Sequence, residues 1–200
     1  MTSAALHVRD LVADDWPAAA GVAARAMCHE PFMVAILGED QLARVGEAAR
    51  MYRAWPWSDD IVATGAFVVD ELVGMAVASP PPTCRLCERI DSGRRPPDDV
   101  VGRRMHEFDV AARAAHQGQP PHSRVAPVAV EPVAQGAGVG AAVVGALVQR
   151  LDALGGGTVL LECLPKLESF YGAAGFRTVG SFVDPYGPDV LLMRADLPTR

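Results

Sequence analysis

The stretch VAVEPVAQGAGVGAAVVGAL, residues 128–147, decides how the chain is interpreted. It begins with a valine-rich run that predicts a strand and ends with an apolar run that predicts a helix. Between them Gly136, Gly138 and Gly140 occupy three of six positions. Glycine lets a chain turn with positive φ or approach a neighbouring group closely. A strand, a glycine-rich turn and a helix in this order predict an anion site, because the first N–H groups of a helix have no partner within it.

Other interpretations of this loop are open at the level of the motif alone. GAGVGA, residues 136–141, matches a relaxed dinucleotide-binding fingerprint, and Glu162 falls where that fold places its ribose-binding acid. Against this, EPVAQ separates the strand from the first glycine, and too few residues follow Glu162 to complete a doubly wound sheet. A Walker A loop is excluded because its Lys-Ser/Thr pair is missing. A flexible turn without a ligand is the remaining alternative.

Composition bounds the class of protein. The chain has 200 residues, half of them hydrophobic, and a formal net charge of -6. This length predicts one domain, residues 1–200. The acidic balance argues against a nucleic-acid partner and suits a cationic small molecule. No apolar stretch has the length of a membrane span and the N-terminus does not read as a signal peptide, so we expect no membrane partner and a cytoplasmic location.

Hydrophobic periodicity predicts an α/β chain. A tight turn is expected at Asp70-Glu71, and the Pro- and charge-rich residues 80–99 are expected to form a surface loop. WPWSDD, residues 55–60, is expected either to line a pocket for an amine or to end a helix. Strands are predicted near 6–9, 61–69, 73–79, 123–131, 158–163, 176–183 and 189–195, and helices from about 14, over 32–37, 39–55, 99–116, 138–154 and 166–175.

Two further motifs follow the glycine loop: LLEC, residues 160–163, and FYGAAGF, residues 170–176. Together with the loop they resemble the GNAT superfamily of acetyl-CoA-dependent acyltransferases. Its signature is Gln/Arg-x-x-Gly-x-Gly/Ala after a strand, with a later Tyr near a Gly-Phe pair. The resemblance covers residues 124–195, and the layout of the whole chain resembles the puromycin N-acetyltransferase type. The matching positions are Gln135, Gly138, Gly140, Tyr171, Gly175 and Phe176.

The resemblance implies a fold and a division of labour. The fold is a mixed, largely antiparallel central sheet with a V-shaped splay between two parallel strands and helices on both faces. Residues 121–200 would bind acetyl-CoA. Residues 1–120, with a loop-helix insertion at about 80–117, would build the acceptor side.

The resemblance also implies how coenzyme A is held as co-substrate. The diphosphate would lie on the loop amides, and the pantetheine arm would pair with the strand beside the splay. Pro127 fits an interrupted ladder because it has no N–H. Ala137 replaces a common basic residue and Leu167 a common Asn, so two side-chain contacts are missing. The expected coenzyme-binding residues are Val128, Ala129, Val130, Gln135, Gly136, Ala137, Gly138, Val139, Gly140 and Ala141.

Direct transfer requires a proton acceptor for the amine and a proton donor for the departing thiolate. The resemblance assigns the donor to Tyr171, for which the alternative is a core aromatic. Glu162 is the expected base, since burial in an apolar strand would raise its pKa; the alternative is a strand-end residue bonded to the backbone. Lesser candidates for the base are Glu131, His122 and Glu30.

The sequence predicts no catalytic or metal-binding role for the cysteines. Cys84-x-x-Cys87 would need two further ligands, and we find no second pair at a suitable spacing, so no metal is expected. Cys163 could act as a nucleophile, but direct transfer needs none.

The expected function is N-acetyl transfer from acetyl-CoA to a primary amine of a small molecule. A catalytically silent acyl-CoA-binding module and a protein N-acetyltransferase are the alternatives. The acceptor, the acyl-chain length and whether the chain forms a homodimer stay open.

Overall fold

The computed structural model describes residues 5–54, 61–93, 95 and 97–199. The segment WPWSDD therefore lies outside the described residues. These residues contain seven strands and seven α-helices. The strands are β1 (Leu6–Asp10), β2 (Val62–Val68), β3 (Glu71–Ala78), β4 (His122–Val130), β5 (Gly157–Cys163), β6 (Arg177–Val183) and β7 (Asp189–Leu197). The helices are α1 (Trp16–Met27), α2 (Pro31–Leu37), α3 (Gln41–Arg53), α4 (Arg85–Asp91), α5 (Val100–Ala115), α6 (Val139–Ala153) and α7 (Glu168–Ala173).

The strands form a single sheet in the order β1-β2-β3-β4-β5-β7-β6. Strands β4 and β5 pair in parallel, and the other neighbours pair antiparallel. The parallel pair is joined through α6, as a parallel connection requires. The predicted fold class, a mixed and largely antiparallel sheet between helices, is confirmed.

Several helices begin where the sequence supplies a capping group. The Asp40 carboxylate accepts the N–H of Ala43 at the start of α3, and the Asp99 carboxylate accepts the N–H of Gly102 at the start of α5. Each bond satisfies one of the first N–H groups of the helix, which lack internal partners. Pro17 stands in the first turn of α1, where a missing N–H costs nothing.

Helices cover both faces of the sheet. On one face α6 buries Val143, Val144 and Leu147 in a core shared with β2, β3 and β5. On the other face α1, α2 and α3 pack against β2 and β3. Strand β3 is buried on both sides, since Ala76 and Ala78 belong to the first core and Met75 and Val77 to the second.

The parallel strands separate part-way along their length. Their register runs from His122↔Thr158 to Val125↔Leu161, and the rest of β4 has no described partner on β5. The register between β3 and β4 shifts at the same place, between Ala76 and Ala78, opposite Pro127. The predicted splay and the interrupted ladder at Pro127 are both present.

Two local predictions are wrong. The turn between β2 and β3 consists of Val69 and Asp70, not Asp70-Glu71, because Val68 pairs with Glu71. Val69 there has a φ of 57°, which a β-branched residue rarely adopts. The expected loop 80–99 contains the helix α4, whose Leu86 is buried against Ala112 of α5.

Among the described residues, no single helix is long and apolar enough to cross a membrane. The pair Ala13–Met27 and Pro31–Leu37, bent by 99°, meets that test only when both are taken together, by length and composition.

Candidate active site

A cleft of about 770 Å³ opens where β4 and β5 separate. Its lining includes the free part of β4, the glycine loop and the start of α6. Residues from α1, α2, α3 and α5 also line it. The cleft therefore extends between the two halves of the chain that the sequence distinguished.

The glycine loop presents free amides to this cleft. Gly136 and Gly138 have φ values of 78° and 83°, and Gly138 is the N-cap of α6. The first bond of the helix runs from the N–H of Ala142 to the carbonyl of Gly138. Within the described residues, the N–H groups of residues 138–141 and of Gly136 donate no hydrogen bond. With the positive end of the helix dipole, they form an anion site.

The free edge of β4 offers main-chain groups beside the loop. The N–H of Glu131 donates to the carbonyl of Val73 on β3, so alternate residues of β4 direct their backbone groups to β3. Val128 and Val130 lie between these positions, so their backbone N–H and C=O groups point toward the gap between β4 and β5. The carbonyl of Val130 accepts the side-chain amide of Gln135 at 3.2 Å.

Eight of the ten expected coenzyme-binding residues line the cleft. Val139 does not, because its side chain is buried in the core near β3, and Ala137 is exposed outside the cleft. Gly140 lines the cleft but serves a packing need as well: a Cβ there would come within 3.2 Å of the Phe170 ring. The lining residues among the ten are Val128, Ala129, Val130, Gln135, Gly136, Gly138, Gly140 and Ala141.

Tyr171 lines the same cleft from the short helix α7. Its ring packs edge-on against Phe170, with centroids 4.8 Å apart, and against Phe176 at 6.1 Å. The side chain is buried, and this burial, with smaller effects of Cys163 and Glu30, raises the pKa of Tyr171 above its usual range. The phenol therefore keeps its proton at neutral pH. Tyr171 is therefore both a core residue and part of the cleft lining.

Glu162 lies in an ion-pair network. Its carboxylate accepts Nε of Arg124 at 2.8 and 3.0 Å and Nε2 of His116 at 2.8 Å. Burial alone would raise the pKa of Glu162, but Arg124 and His116 outweigh it and lower the pKa to about 2. The prediction of a raised pKa is therefore wrong. A carboxylate that accepts hydrogen bonds from two side chains is a poor proton acceptor. Glu162 instead holds Arg124 and His116 against β5.

The lesser candidates for the base are engaged as well. Glu131 forms an ion pair with Arg25, and Glu30 lines the cleft with Lys166 at 3.5 Å from its carboxylate. His122 does not line the cleft and belongs to a separate cluster with His116.

Asp184 is a cleft residue that the sequence analysis missed. It follows β6, is 4% exposed, and accepts the N–H of Tyr186 at 2.9 Å. Burial raises the pKa of Asp184, and this hydrogen bond only partly offsets the effect. No cationic side chain pairs with it among the described residues. Burial also raises the pKa of Asp109, but Arg89 donates a hydrogen bond to that carboxylate at 2.6 Å.

The loop that carries Asp184 contacts α5, one of the helices that line the cleft. The Tyr186 hydroxyl donates to Glu107 of α5, and the guanidinium of Arg104 lies 5.4 Å from the centre of the Tyr186 ring. Phe108 of the same helix lines the cleft and packs against Phe32, with centroids 4.5 Å apart. Helix α5 therefore contributes both the aromatic Phe108 and the ion-paired Asp109 to the cleft lining.

Cys163 has no features of a nucleophile. Its Sγ lies 3.5 Å from the sulfur of Met193, and burial raises the pKa of the Cys163 thiol to about 11. A thiol that stays protonated at neutral pH reacts slowly.

Comparisons with solved structures find chains of similar fold. A protein from Corynebacterium glutamicum, described as histone acetyltransferase HPA2 and related acetyltransferase, is 18% identical, with a TM-score of 0.69 over 98% of each chain. An agmatine N-acetyltransferase in its apo form is 17% identical, with a TM-score of 0.71 over 96% of this chain and 99% of that one. An aminoglycoside 6'-N-acetyltransferase complexed with coenzyme A is 14% identical, with a TM-score of 0.58 over 97% and 98%.

The chain has the GNAT fold. No protein-family model matches the sequence, and no curated protein matches it. The predicted GNAT fold is thus supported through the structure, while the resemblance to the puromycin type is not confirmed. At identities below a fifth, the similarity establishes the fold, and the chemistry has to be argued from the cleft.

Proposed function

We propose that this GNAT-fold chain is an N-acetyltransferase that moves an acetyl group from acetyl-CoA to a primary amine of a small molecule. The observation that carries the proposal is the junction of two unpaired backbone surfaces in one cleft. The free N–H groups at the start of α6 adjoin the edge of β4 at Val128 and Val130, which has no partner on β5 and where the Gln135 side chain occupies only the carbonyl of Val130. A diphosphate suits the first surface, and an amide-bearing chain such as pantetheine suits the second.

Coenzyme binding is assigned to these main-chain groups. The ten residues named from the sequence are kept, with the difference that Ala137 and Val139 would contribute backbone rather than side-chain contacts. Ala137 leaves the loop without a basic side chain, so binding would depend on the amides and on the dipole of α6. The solved neighbour that contains coenzyme A supports this choice of co-substrate.

Tyr171 is proposed as the proton donor. In direct transfer the amine nitrogen forms a bond to the acetyl carbon while the carbon–sulfur bond breaks, and the thiolate takes a proton. Tyr171 holds its proton at neutral pH because burial raises its pKa. The ring is fixed by Phe170 and Phe176, so the phenol is positioned before the substrate arrives.

Asp184 is proposed as the proton acceptor for the amine. Its carboxylate lines the cleft, has no cationic partner among the described residues and has a raised pKa. Glu162 lacks these properties, since Arg124 and His116 occupy it. A carboxylate without a counter-ion also attracts a protonated amine into the cleft before it accepts the proton.

The acceptor is proposed to be an amine on a partly apolar body. Phe32 and Phe108 provide an aromatic wall, and Met27, Met33 and Met105 line the cleft beside it. Methionine-rich, aromatic walls accommodate apolar groups of varied shape. Solved neighbours include an agmatine and an aminoglycoside acetyltransferase, which supports amines as a class, and a ribosomal-protein-S18-alanine acetyltransferase keeps a protein N-terminus as the alternative.

The remaining assignments rest on the sequence. Residues 1–120 are proposed as the acceptor half and 121–200 as the coenzyme half of one domain. A cytoplasmic location is proposed, and a homodimer stays open.

The proposal is tested by measuring how fast the free thiol of coenzyme A is released from acetyl-CoA in the presence of each of a panel of amines. Small cationic and aromatic amines and a short peptide with a free N-terminus would be compared, with acetyl-CoA alone as the blank. The proposal expects amine-dependent release with at least one small molecule. Release with the peptide alone would favour the protein acceptor. A rise in melting temperature with acetyl-CoA but no release with any amine would indicate a binding module and overturn the proposal.

A further inference from the structure

The structure brings Cys84, Cys87, His116 and His122 together outside the cleft. Their four ligand atoms all lie within 4.8 Å of one another. Nδ1 of His116 is 3.7 Å from Sγ of Cys84, 3.8 Å from Sγ of Cys87 and 3.0 Å from Nε2 of His122. We propose that these four side chains form a structural zinc site.

The donor set has the number and kind of ligands that structural zinc takes. Two thiolates and two imidazoles form a closed tetrahedral Cys2His2 site, with typical spacings C-x2–4-C and H-x3–5-H. Here two residues separate Cys84 from Cys87 and five separate His116 from His122. Both cysteines are free, so neither is lost to a disulfide.

The distances fit a single ion at the centre. Zinc bonds of ~2.3 Å to sulfur and ~2.0–2.1 Å to nitrogen in a tetrahedron give about 3.6 Å between sulfur and nitrogen and about 3.3 Å between two nitrogens. The His116 nitrogen lies 3.7 and 3.8 Å from the two sulfurs and 3.0 Å from the His122 nitrogen. These three distances therefore agree with the tetrahedron to within a few tenths of an ångström, and the remaining pairs of ligand atoms lie within 4.8 Å.

Both imidazoles are oriented by acceptors on their far side. Nε2 of His116 lies 2.8 Å from Oε1 of Glu162, and Nδ1 of His122 lies 2.7 Å from the carbonyl oxygen of Pro120. Where these acceptors take the N–H of neutral rings, each remaining nitrogen directs a lone pair into the cluster. A metal ion between the two nitrogens, which lie 3.0 Å apart, would accept both lone pairs. A carboxylate or carbonyl behind each histidine is the usual arrangement in zinc sites.

The cluster joins parts of the chain that are far apart in sequence. Cys84 caps the start of α4, Cys87 lies in its first turn, His116 caps the end of α5, and His122 begins β4. A short core of Leu86 and Ala112, with Cys84 itself, lies beside it. Such a small core provides little burial, so a metal would fix the insertion on the sheet. A shallow surface depression that includes all four residues provides an entry path.

The primary test is the metal content of the full-length protein. It would be purified under reducing conditions without strong chelators and analysed by elemental mass spectrometry. We expect about one zinc per chain, as one Cys2His2 site requires. A mercurial that modifies thiols should release it to a metallochromic dye. Protein stripped of metal and given Co²⁺ should show tetrahedral d–d bands and thiolate-to-cobalt charge-transfer bands.

Variants locate the metal. Cys87→Ser and His122→Gln should each lower the zinc content at least tenfold. Cys28→Ser and His29→Gln are matched controls outside the cluster and should keep it, since a serine at 28 can still donate to the carbonyl of Arg25 as the thiol does. The cobalt spectrum of the unaltered chain decides the question even if a variant fails to fold.

Two results would overturn the proposal. One is an unaltered chain that, after incubation with excess Zn²⁺ or Co²⁺ under reducing conditions, retains no metal and shows no tetrahedral cobalt spectrum. The other is equal metal loss in Cys28→Ser and Cys87→Ser. Neither depends on acetyl transfer, so failure of the proposed function leaves this test intact.

Discussion

Nε2 of His116 lies 2.8 Å from Oε1 of Glu162, so one carboxylate connects the end of α5 to the strand that borders the cleft. The same carboxylate also holds the buried side chain of Arg124. Helix α5 and the sheet are thereby joined by hydrogen bonds and charge as well as by packing. This relationship makes Glu162 an anchoring residue.

Glu162→Gln is expected to lower stability. Removing one partner of a buried ion pair leaves the other charge uncompensated, which costs roughly 3–5 kcal/mol. The melting temperature, measured by circular dichroism, would fall clearly. Glu47→Gln, which breaks an exposed Glu–Arg pair on α3, should change stability by less than about 1 kcal/mol. A Glu162→Gln protein with unchanged stability and no turnover would instead support the base role predicted from the sequence.

Tyr171→Phe is expected to lower kcat by about 10²–10⁴, the usual contribution of general acid catalysis. The KM for acetyl-CoA and the melting temperature should change little, because the ring keeps its contacts with Phe170 and Phe176. Steady-state kinetics and thermal unfolding measure both. Unaltered turnover would remove Tyr171 from its proposed role.

Asp184→Asn is expected to abolish the fall of kcat/KM at low pH, which is the acid limb of the pH profile. A base acts only when deprotonated, so activity falls as the pH drops through its pKa, which lies above the usual aspartate value of ~3.9. Amine acetylation measured across pH would show this limb in the unaltered chain. Asp109→Asn, whose carboxylate binds Arg89, is the comparison. If it removes the limb and Asp184→Asn does not, Asp109 is the base.

The same Asp184→Asn variant should be at least as stable as the unaltered chain at neutral pH. A carboxyl whose pKa is raised on folding binds its proton more tightly in the folded state. Its stabilising effect is therefore lost as the pH rises from its unfolded pKa through its folded pKa. Asparagine can still accept the N–H of Tyr186 and carries no charge. Melting temperatures at pH 5 and pH 7 test this, and a large loss at pH 7 would show a structural role.

Gly138→Ala is expected to weaken acetyl-CoA binding about tenfold. An alanine held at a φ of 83° costs ~1–2 kcal/mol, and the loop would relax away from the geometry that directs its amides into the cleft. Gly145→Ala in the same helix is the control, since its added Cβ meets nothing within 4 Å beyond the neighbouring residues and backbone of the helix itself. It should leave affinity unchanged. Equal affinities in the two variants would contradict the role of the loop.

The sheet and the position of the glycine loop were predictable because each depends on local sequence. The glycine loop, the strand before it and Tyr171 stand in one continuous region, where periodicity and motif spacing specify the elements. The turn at Val69 was missed because a valine with positive φ contradicts turn propensities, and the pairing of Val68 with Glu71 decides it.

The acceptor side was harder because its residues meet only in three dimensions. The raised pKa expected for Glu162 failed since Arg124 and His116, distant in sequence, approach its carboxylate. Asp184 gives no sequence signal beyond its place after a strand. The Cys84-x-x-Cys87 pair carried a signal, but its partners His116 and His122 are separated from it by the whole of α5.

Calorimetric titration of the unaltered chain with acetyl-CoA tests the central claim most directly. The claim is that the free amides at the start of α6 and the open edge of β4 form one coenzyme site. It predicts saturable binding of one acetyl-CoA per chain, with coenzyme A competing for the same site. Absence of binding at acetyl-CoA concentrations up to about 1 mM, the upper end of the usual KM range, would contradict it.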